Sequence, residues 1–358
     1  MRVLLAVEWG TLRSPLRSQC VAISSALLWG GHMTRIGFHA SHEQIDPRQL
    51  LIDVQHAERV GFDMAMCSDH LNPWSTRQGH SGYTWAWLGA ALATTSLDLG
   101  CVCAPGQRYH PAVVAQKIGT LGQMFPGRFW TALGSGEASN EHVTMDGWLP
   151  KEKRTQRLEE CVHVIRRLLA GEEVTHDGLV RVDRARVWDR PAEPPRLIGP
   201  AVSVASAARV AGWADGLITI NQSHDTLRQV IEGYREAGGR GPLSLQVHLS
   251  WAPTMDEAER IAFDQWRTNV FGGTVAWDIH TPEDFDALGE HVILDSVRQA
   301  VRISADAGQH AEWLMGYADL GFDDLYLHHV GQRQGAFIDT FADRVLPELA
   351  DAAVMSQT

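Results

Sequence analysis

The stretch Met66-Cys67-Ser68-Asp69-His70-Leu71-Asn72-Pro73-Trp74 closes an apolar run with an acid, an imidazole and an aromatic ring. Such an ending is typical of a buried parallel strand that carries a functional site at its carboxyl end. The same residues also fit a helix start, with Asp69 or Asn72 as the cap and Pro73 in the first turn. A second apolar run ends in glycines and an acid, at Gly134-Ser135-Gly136-Glu137, and this favours the site.

Eight apolar runs alternate with segments of helical spacing along the chain. We predict strands at 35–39, 62–68, 97–103, 129–133, 197–199, 217–220, 245–250 and 324–328. Strands that alternate with helices are typical of βαβ units in a parallel sheet. Eight units with no flexible linker between them predict a single α/β domain over residues 33–350, a closed (β/α)₈ TIM barrel. Its site is expected at the C-terminal ends of the strands.

Two insertions interrupt the repeat at the C-terminal rim. Residues 174–188 match a β-hairpin with His176-Asp177-Gly178 as its turn. Residues 271–292 form a long polar excursion, which we expect to cover the barrel mouth as a lid or substrate pocket. The first barrel helix is predicted to start at Asp46-Pro47, because an acidic cap followed by proline is a common helix start.

Charge and cysteine content exclude several classes of protein. The 358 residues carry a formal net charge of −12, with 43 acidic residues against 31 Lys and Arg. This balance argues against a nucleic-acid partner, and we expect no membrane partner either. The cysteines are Cys20, Cys67, Cys101, Cys103 and Cys161. They are odd in number and lie inside apolar runs, as reduced thiols do, so we expect a cytoplasmic protein without a metal site.

The two ends of the chain are set apart from the barrel. Residues 1–32 contain two short apolar runs, interrupted by Arg13 and Arg17, without a clear cleavage site. This pattern does not match a signal peptide. We expect residues 1–32 to be a disordered leader or an extension from an upstream start, dispensable for folding. Residues 351–358 are expected to form a tail.

The strand ends bring together groups suited to proton and hydride transfer. We expect His70 to take a hydroxyl proton, because imidazole titrates near neutral pH. Glu137 lies beside glycines and could supply a proton, although an acid at this position also caps turns. His39, His328 and His329 reach the same rim. We interpret these three as structural histidines and as the alternative source of a base.

Gly134 and Gly136 also raise the question of a dinucleotide site. The third position of the G-x-G-x-x-G motif is Ser139, and the required helix is not expected to follow, so this signal is weak. Small residues at 101–106 and 134–136 fit a flat ring system better, because backbone can approach a ring closely there. Helix starts after the strands, including the one that follows Gly199, could hold a phosphate.

Several motifs in one order make the chain resemble the luciferase-like monooxygenase superfamily of flavin and deazaflavin enzymes. They are Ser68-Asp69-His70 with Pro73-Trp74, Arg108-Tyr109-His110-Pro111-Ala112 with Ala115-Gln116, Gly134-Ser135-Gly136-Glu137-Ala138-Ser139-Asn140-Glu141, and Ala214-Asp215-Gly216. The resemblance extends from about Thr34 to Pro347 and is greatest to the F420-dependent glucose-6-phosphate dehydrogenase branch. It implies a barrel of the bacterial luciferase type, and we expect a homodimer.

The resemblance also implies roles for individual residues. His70 would be the catalytic base, Glu137 the general acid, and Trp74 would stack near the reacting ring. The Cys101-Val102 peptide would form a bulge, with a non-proline cis bond, that backs the flavin. The cofactor-binding residues would be Asp69, Cys101, Val102, Ala104, Gly134, Ser135, Gly136, Asn140 and Gly199.

Departures from that branch affect substrate and cofactor. Ser223 and Ala276 stand where the dehydrogenases hold a sugar phosphate with lysines, and Arg302 aligns only loosely with the remaining basic residue. Without those cations a phosphate loses charge-assisted contacts, so we expect an uncharged substrate. Ala104 and Gly106 replace threonines of the dehydrogenases. These changes make the chain resemble a sister group thought to use ordinary flavin, which favours FMN over F420.

Three functions follow from this interpretation. The first is an oxidoreductase, dependent on FMN or F420, that moves hydride to or from a small, uncharged hydroxyl or carbonyl compound such as a sugar. The second is an FMN-dependent monooxygenase that uses O₂ and a partner flavin reductase. The third is a flavin-binding protein without turnover, since a fold alone does not prove chemistry.

Overall fold

The structure is a computed structural model that describes residues 27–29 and 32–355. The strands of these residues are β1 (Leu27–Trp29), β2 (His32–Ala40), β3 (Met64–Ser68), β4 (Asp98–Cys103), β5 (Phe129–Leu133), β6 (Val174–Asp177), β7 (Arg181–Ala185), β8 (Arg196–Pro200), β9 (Leu217–Ile220), β10 (Leu243–Trp251), β11 (Arg302–Ser304) and β12 (Asp324–His329).

The helices follow the strands in the order that the sequence pattern predicts. They are α1 (Pro47–Val60), α2 (Thr84–Thr94), α3 (Pro111–Met124), α4 (Ala138–Glu141), α5 (Lys151–Leu169), α6 (Val204–Val210), α7 (His224–Glu236), α8 (Met255–Trp266), α9 (Gly273–Ala276), α10 (Pro282–Gly289), α11 (Leu294–Ala300), α12 (Ala307–Ala318), α13 (Gly335–Thr340) and α14 (Leu346–Met355). Asp46 caps α1 as predicted, accepting from the N–H groups of Arg48 and Gln49 at 3.1 Å each. None of these helices is long and apolar enough to cross a membrane.

Eight parallel strands close into a barrel, which confirms the predicted fold. The ring runs β2-β3-β4-β5-β8-β9-β10-β12 and closes where β12 pairs with β2. Two predicted strands, 129–133 and 217–220, have the observed bounds, and the other six differ at one or both ends by one to three residues. Strand β11 was not predicted, because it is only three residues long; it lies beside β10 outside the ring.

The barrel has two apolar layers because neighbouring residues of a strand point to opposite faces. The interior contains Met64, Met66, Trp130, Ala132, Ile198, Ile218 and Tyr326, with Val102 packed against them. Cys67, Cys101 and Cys103 belong instead to the larger cluster between strands and helices. These three and Cys161 are buried and free, whereas Cys20 lies outside the described residues.

The prediction of a bulge at Cys101-Val102 is wrong. Both residues pair in unbroken register with Cys67 and Ser68 on one side and with Thr131 and Ala132 on the other. The described residues contain no cis peptide bond. The ladder on both sides satisfies the backbone of this segment in its extended form, and the small residues there do not interrupt it.

The segment before the barrel differs in part from the expectation. Leu27–Trp29 forms strand β1 and pairs antiparallel with β2, so the expected leader is not disordered at these residues. β1 pairs with residues 32–34 of β2, which precede the part of β2 that pairs within the ring. The remainder of the predicted leader, residues 1–26 and 30–31, lies outside the described residues.

The hairpin insertion is confirmed, with a different turn. Strands β6 and β7 pair antiparallel, and Asp177 lies opposite Arg181. Residues 178–180 therefore connect the strands, while His176 and Asp177 belong to β6. The connection has three residues, like the predicted turn at 176–178, but it lies two residues further along the chain.

Candidate functional site

The residues predicted to carry chemistry meet at the C-terminal end of the barrel. Glu43 follows β2, His70 follows β3, and Glu137 follows β5. Parallel strands end at the same rim, so residues far apart in the chain become neighbours there. The strongest contact of this kind joins Glu43 to His70.

Glu43 and His70 form a buried pair. The Nδ1 atom of His70 lies 2.7 Å from Oε1 of Glu43, and Ser41 Oγ donates to Oε2 at 2.8 Å. The Glu43 side chain has no exposed surface, and that of His70 is 13% exposed. A carboxylate at Nδ1 keeps the proton there and directs the lone pair of neutral imidazole to Nε2. Within the described part of the chain, Nε2 has no hydrogen-bond partner.

The pair changes the acid-base properties of both groups. Burial alone would lower the pKa of His70, but the hydrogen bond to Glu43 and the charges of Glu43 and Glu137 raise it, against the effect of Arg108. Burial would raise the pKa of Glu43, but hydrogen bonds from His70 and Ser41 hold it at about 2. Glu43 is therefore a permanent anion at neutral pH, and His70 is a stronger base than a free imidazole.

Trp74, Glu137 and Asn140 form a second group beside this pair. Trp74 Nε1 donates to Oε2 of Glu137 at 3.2 Å, and Asn140 Nδ2 lies 3.4 Å from the same oxygen. Asn140 Oδ1 accepts from the backbone N–H of Leu71 at 2.7 Å. The Trp74 ring also meets the ring of His70 edge to face, with centroids 4.7 Å apart. Two predicted catalytic residues, His70 and Glu137, thus contact opposite parts of one tryptophan.

Asp69 is held in place by three neighbours. Trp85 Nε1 donates to Oδ2 at 2.7 Å, and the Tyr109 hydroxyl donates to Oδ1 at 3.3 Å. Arg108 donates to the Asp69 carbonyl oxygen at 2.6 Å and lies 3.6 Å from Oδ1. Arg108 also pairs with Glu141, whose Oε2 accepts the Arg108 backbone N–H at 2.6 Å. This network fixes the strand end that carries His70.

The loop after β5 presents unused donors. The backbone N–H groups of Ser135, Gly136 and Glu137 make no hydrogen bond within the described residues. Gly136 has φ = +84°, a conformation that disfavours a side chain, and a Cβ there would come within 3.1 Å of Glu141. Successive free N–H groups in such a turn bind anionic or carbonyl oxygen. The hydroxyl of Ser139, on helix α4 directly after this loop, is buried and also lacks a hydrogen-bond partner among the described residues.

The remaining predicted cofactor residues occupy two different environments. Val102 faces the barrel interior, while the Cys101 side chain is fully buried on the helix side of β4, with Sγ 3.6 Å from Thr131 Oγ1. The thiol of Cys101 therefore cannot touch a ligand at the rim. A Cβ at Gly199 would come within 2.4 Å of Val210 on α6, so helix packing by itself requires glycine there.

A row of imidazoles lies beneath the site on three adjacent strands. His39 stacks on His328 with ring centroids 4.2 Å apart, and His248 lies 5.3 Å from His328. Burial lowers the pKa of His39 to about 4 and that of His248 to about 3, and it lowers the pKa of His328 as well. His329 is also buried, and its pKa is lowered to about 3. These weak bases suit structural positions, as we expected for His39, His328 and His329.

The insertion at 271–292 lies across the loops of the rim, as predicted. Asp286 accepts hydrogen bonds from Ser75 Oγ at 2.6 Å and from Arg77 Nη1 at 2.8 Å, both on the loop that follows Trp74. The Trp277 carbonyl accepts from the N–H of Ala138 at 2.9 Å, next to Glu137. The insertion is therefore bonded to both loops that carry predicted catalytic residues.

Glu43 follows the first predicted strand, 35–39, which places it at the rim, but the residue pattern around it indicates no role. Glu43 and His70 are 27 residues apart, and no motif joins them. The available signal was their position at the ends of consecutive strands, which pair in the barrel. The residues around Asp69 were likewise unassigned, apart from Arg108 and Tyr109, which belong to a motif of the resemblance.

Comparison with a protein-family model gives one match over most of the barrel. The model described as luciferase-like monooxygenase matches residues 31–324. The chain is 35% identical over 337 residues to an F420-dependent glucose-6-phosphate dehydrogenase of Nakamurella multipartita. The alignment covers 88% of this chain and 96% of the relative. It is 31% identical to an F420-dependent hydroxymycolic acid dehydrogenase of Mycobacterium tuberculosis, over 92% of this chain and 95% of the relative.

A solved structure shows the same fold. An F420-dependent secondary alcohol dehydrogenase in complex with an F420-acetone adduct aligns with a TM-score of 0.82 and 27% identity. The alignment covers 88% of this chain and 99% of that structure. The long-chain alkane monooxygenase LadA aligns with a TM-score of 0.70 at 14% identity, and this likeness shows the fold alone.

Proposed function

Because the chain belongs to the luciferase-like monooxygenase family, an enzyme family, we propose that it is an F420-dependent dehydrogenase of a small, uncharged alcohol or sugar. The main support for this proposal is the Glu43–His70 pair, in which His70 Nδ1 lies 2.7 Å from Glu43 Oε1. Oxidation of an alcohol requires a base for the hydroxyl proton while hydride leaves the carbon. His70 is the one histidine of the described rim cluster that has both a carboxylate partner and a raised pKa.

His70 takes the substrate proton at Nε2 in this proposal. Its Nδ1 remains bonded to Glu43, which fixes the ring and stabilises the imidazolium that forms. Glu43 stays ionised because its own pKa is low, so it acts through charge rather than by accepting the proton. In the reverse direction the same Nε2 returns its proton to the carbonyl oxygen. Glu137, oriented by Trp74 and Asn140, would instead supply a proton to the bound hydride acceptor.

The site fits the coenzyme that the relatives' names indicate. F420 is a deazaflavin that accepts and donates hydride when bound. The free N–H groups of Ser135, Gly136 and Glu137 and the hydroxyl of Ser139 suit a flat ring edged with carbonyl oxygens. We assign Asp69, Val102, Ala104, Gly134 and Asn140 to the same cofactor site. Cys101 would contribute only its backbone to this site. Gly199 is also required for packing, because a side chain there would collide with Val210 on α6.

The substrate is proposed to be uncharged. Ser223 is the cap of α7, and its hydroxyl accepts the N–H of Thr226 at 3.2 Å. Arg302 donates from Nε to the Tyr317 hydroxyl at 2.8 Å, so this guanidinium already has a partner. The rings beside His70 are aromatic or neutral imidazole. Such surfaces pack against C–H groups and offer hydrogen bonds to hydroxyls, and they do not supply the cations that a phosphate needs.

Titration of the purified protein with coenzyme tests this function. F420 and FMN are added separately and binding is followed by fluorescence; we expect the lower Kd for F420. Under anaerobic conditions, 2-propanol, glucose and glucose 6-phosphate are then offered, and coenzyme reduction is followed by absorbance. We expect reduction with an uncharged compound at a higher kcat/KM than with glucose 6-phosphate.

The same measurements distinguish the alternatives. Tighter binding of FMN, together with O₂ consumption when a flavin reductase is supplied, would replace the dehydrogenase with a monooxygenase. Tight binding of F420 without reduction by an alcohol or a sugar would leave a binding protein. A higher kcat/KM for glucose 6-phosphate would keep the activity but overturn the substrate class.

A further inference from the structure

An ammonium group without a hydrogen-bond partner lies behind the site. Lys117 on α3 places Nζ 3.2 Å from the centroid of the Tyr109 ring, 4.9 Å from Trp85 and 5.3 Å from Tyr83. Its Nζ is buried and makes no hydrogen bond to the described residues. A buried ammonium is costly unless something compensates its charge. The three aromatic faces provide that compensation, because each ring is negative at its face.

Two of these three rings hold Asp69. Trp85 donates its N–H to one carboxylate oxygen at 2.7 Å, and Tyr109 donates its O–H to the other at 3.3 Å. Both oxygens of Asp69 are therefore bound by rings whose faces carry the Lys117 ammonium. Asp69 is 3% exposed, so water does little to screen this arrangement.

The cation and the carboxylate are coupled through the rings. A positive charge over an aromatic face draws electron density toward itself and makes the N–H or O–H at the ring edge a stronger donor. Lys117 forms no ion pair with a carboxylate among the described residues, so Asp69 is the anion that its charge reaches through Trp85 and Tyr109. Removal of the charge should weaken both hydrogen bonds to Asp69 without removing either donor.

We propose that Lys117 is a positioning residue: its charge, acting through Trp85 and Tyr109, orients the Asp69 carboxylate at the rim. Its effect on coenzyme binding rests on the proposed function, in which Asp69 contacts the cofactor. Its effect on Asp69 itself does not, and the two are measured separately.

Two substitutions separate charge from packing. Lys117→Met keeps the length of the chain and packs well against aromatic rings, but it removes the charge. Lys117→Arg keeps the charge and is larger, and a cavity of about 250 Å³ lined by Lys117, Trp85 and Thr120 gives it room. If the charge of Lys117 orients Asp69, Lys117→Arg preserves the wild-type behaviour, meaning the Trp85 signal and the Kd for F420, and Lys117→Met does not. If Lys117 only fills space, Met preserves the wild-type behaviour as well as Arg does.

The first readout uses the protein without coenzyme. The indole N–H signal of Trp85 is assigned in a ¹H–¹⁵N spectrum from its loss in Trp85→Phe. We expect Lys117→Met to move this proton upfield, as for a weaker hydrogen bond, and Lys117→Arg to leave it near the wild-type position. An unchanged signal in Lys117→Met would overturn the proposal. If Lys117→Met does not fold, Lys117→Gln serves as the uncharged variant in the same measurement.

The second readout is the Kd for F420, measured by fluorescence. We expect an increase of about tenfold in Lys117→Met, about 1.4 kcal/mol, and less than about twofold in Lys117→Arg. Lys153→Met is the matched control, since this exposed lysine on α5 bonds only to Gln156 in the described chain. An equal loss in Lys153→Met would show a general effect of net charge and would overturn the role of Lys117. Failure of the wild type to bind F420 would end the proposed function, while the Trp85 signal would still decide the role of Lys117.

Discussion

His39 lies in β2 and His70 directly follows the neighbouring strand β3, yet their environments shift their pKa values in opposite directions. His70 has a carboxylate 2.7 Å away and a raised pKa. His39 is buried against another imidazole, and both of its ring nitrogens lack a hydrogen-bond partner in the described part of the chain. Its pKa falls to about 4. Burial acts on both residues in the same sense. The comparison shows that a paired carboxylate, and not the position at the rim, raises the pKa of His70.

Removal of the His70 imidazole, the partner of Glu43, should have the largest effect on turnover. We expect His70→Ala to lower kcat for alcohol oxidation by about 10² to 10⁴, the usual range for a general base. The Kd for F420 should change little, because the coenzyme contacts are assigned to other residues. Stopped-flow reduction of bound coenzyme measures this step.

His329→Phe is the control for that variant, because it removes a buried imidazole that stacks on Phe337 with centroids 5.0 Å apart. Turnover should stay near the wild-type value. If His70→Ala reduces coenzyme at the wild-type rate, His70 is structural and the base must be sought at His39, His328 or His329.

Removal of the carboxylate should make His70 resemble His39. In Glu43→Gln the negative charge that raises the pKa of His70 is lost and Nδ1 faces a neutral amide, while the burial of His70 remains. Oxidation requires neutral His70, so in the wild type kcat/KM should rise with pH through a value above the ordinary 6.5 of histidine. In Glu43→Gln this rise of kcat/KM should move to lower pH. The kcat should fall about tenfold or more, because the imidazolium loses its anionic partner. A pH profile unchanged from wild type would contradict the pairing argument.

Glu137→Gln should slow one half-reaction, the one that protonates the coenzyme or acceptor, more than the other. The amide keeps an oxygen for the Trp74 N–H but cannot release a proton. We expect the half-reaction in which the site supplies a proton to slow by about tenfold and substrate oxidation to change less. Separate stopped-flow measurement of the two half-reactions provides the test, and equal slowing of both would assign Glu137 to positioning alone.

The smallest effect is expected at His39, and it concerns stability. With its pKa lowered to about 4, His39 binds fewer protons in the folded state than in the unfolded state between about pH 6.5 and 4. Its contribution to stability is therefore complete above pH 6.5 and is lost as the pH falls toward 4. His39→Leu cannot titrate, so the slope of unfolding free energy against pH should decrease by at most about 1.4 kcal/mol per pH unit. Urea unfolding at several pH values measures this slope; His56→Leu, at a half-buried surface pair with Asp339, is the control.

The sequence by itself determined the barrel and the end of the barrel that carries the site. Alternating apolar runs and helical segments are local patterns, and the closed parallel ring follows from eight of them. The motifs at 68–74 and 134–141 placed His70, Trp74, Glu137 and Asn140 at strand ends, and the structure brings these four residues together.

Only the tertiary structure decided which of these residues have charged partners. Glu43 reaches His70 because β2 and β3 pair side by side, and Lys117 reaches Asp69 through rings of α2 and the segment before α3. It also decided that Cys101 and Val102 form an unbroken ladder, since both neighbouring strands satisfy their backbone groups. The strength of an ionisable group depends on distances of a few ångströms between residues far apart in the chain. Local residue patterns do not contain these distances, which are set by strand register and by the packing of the surrounding helices.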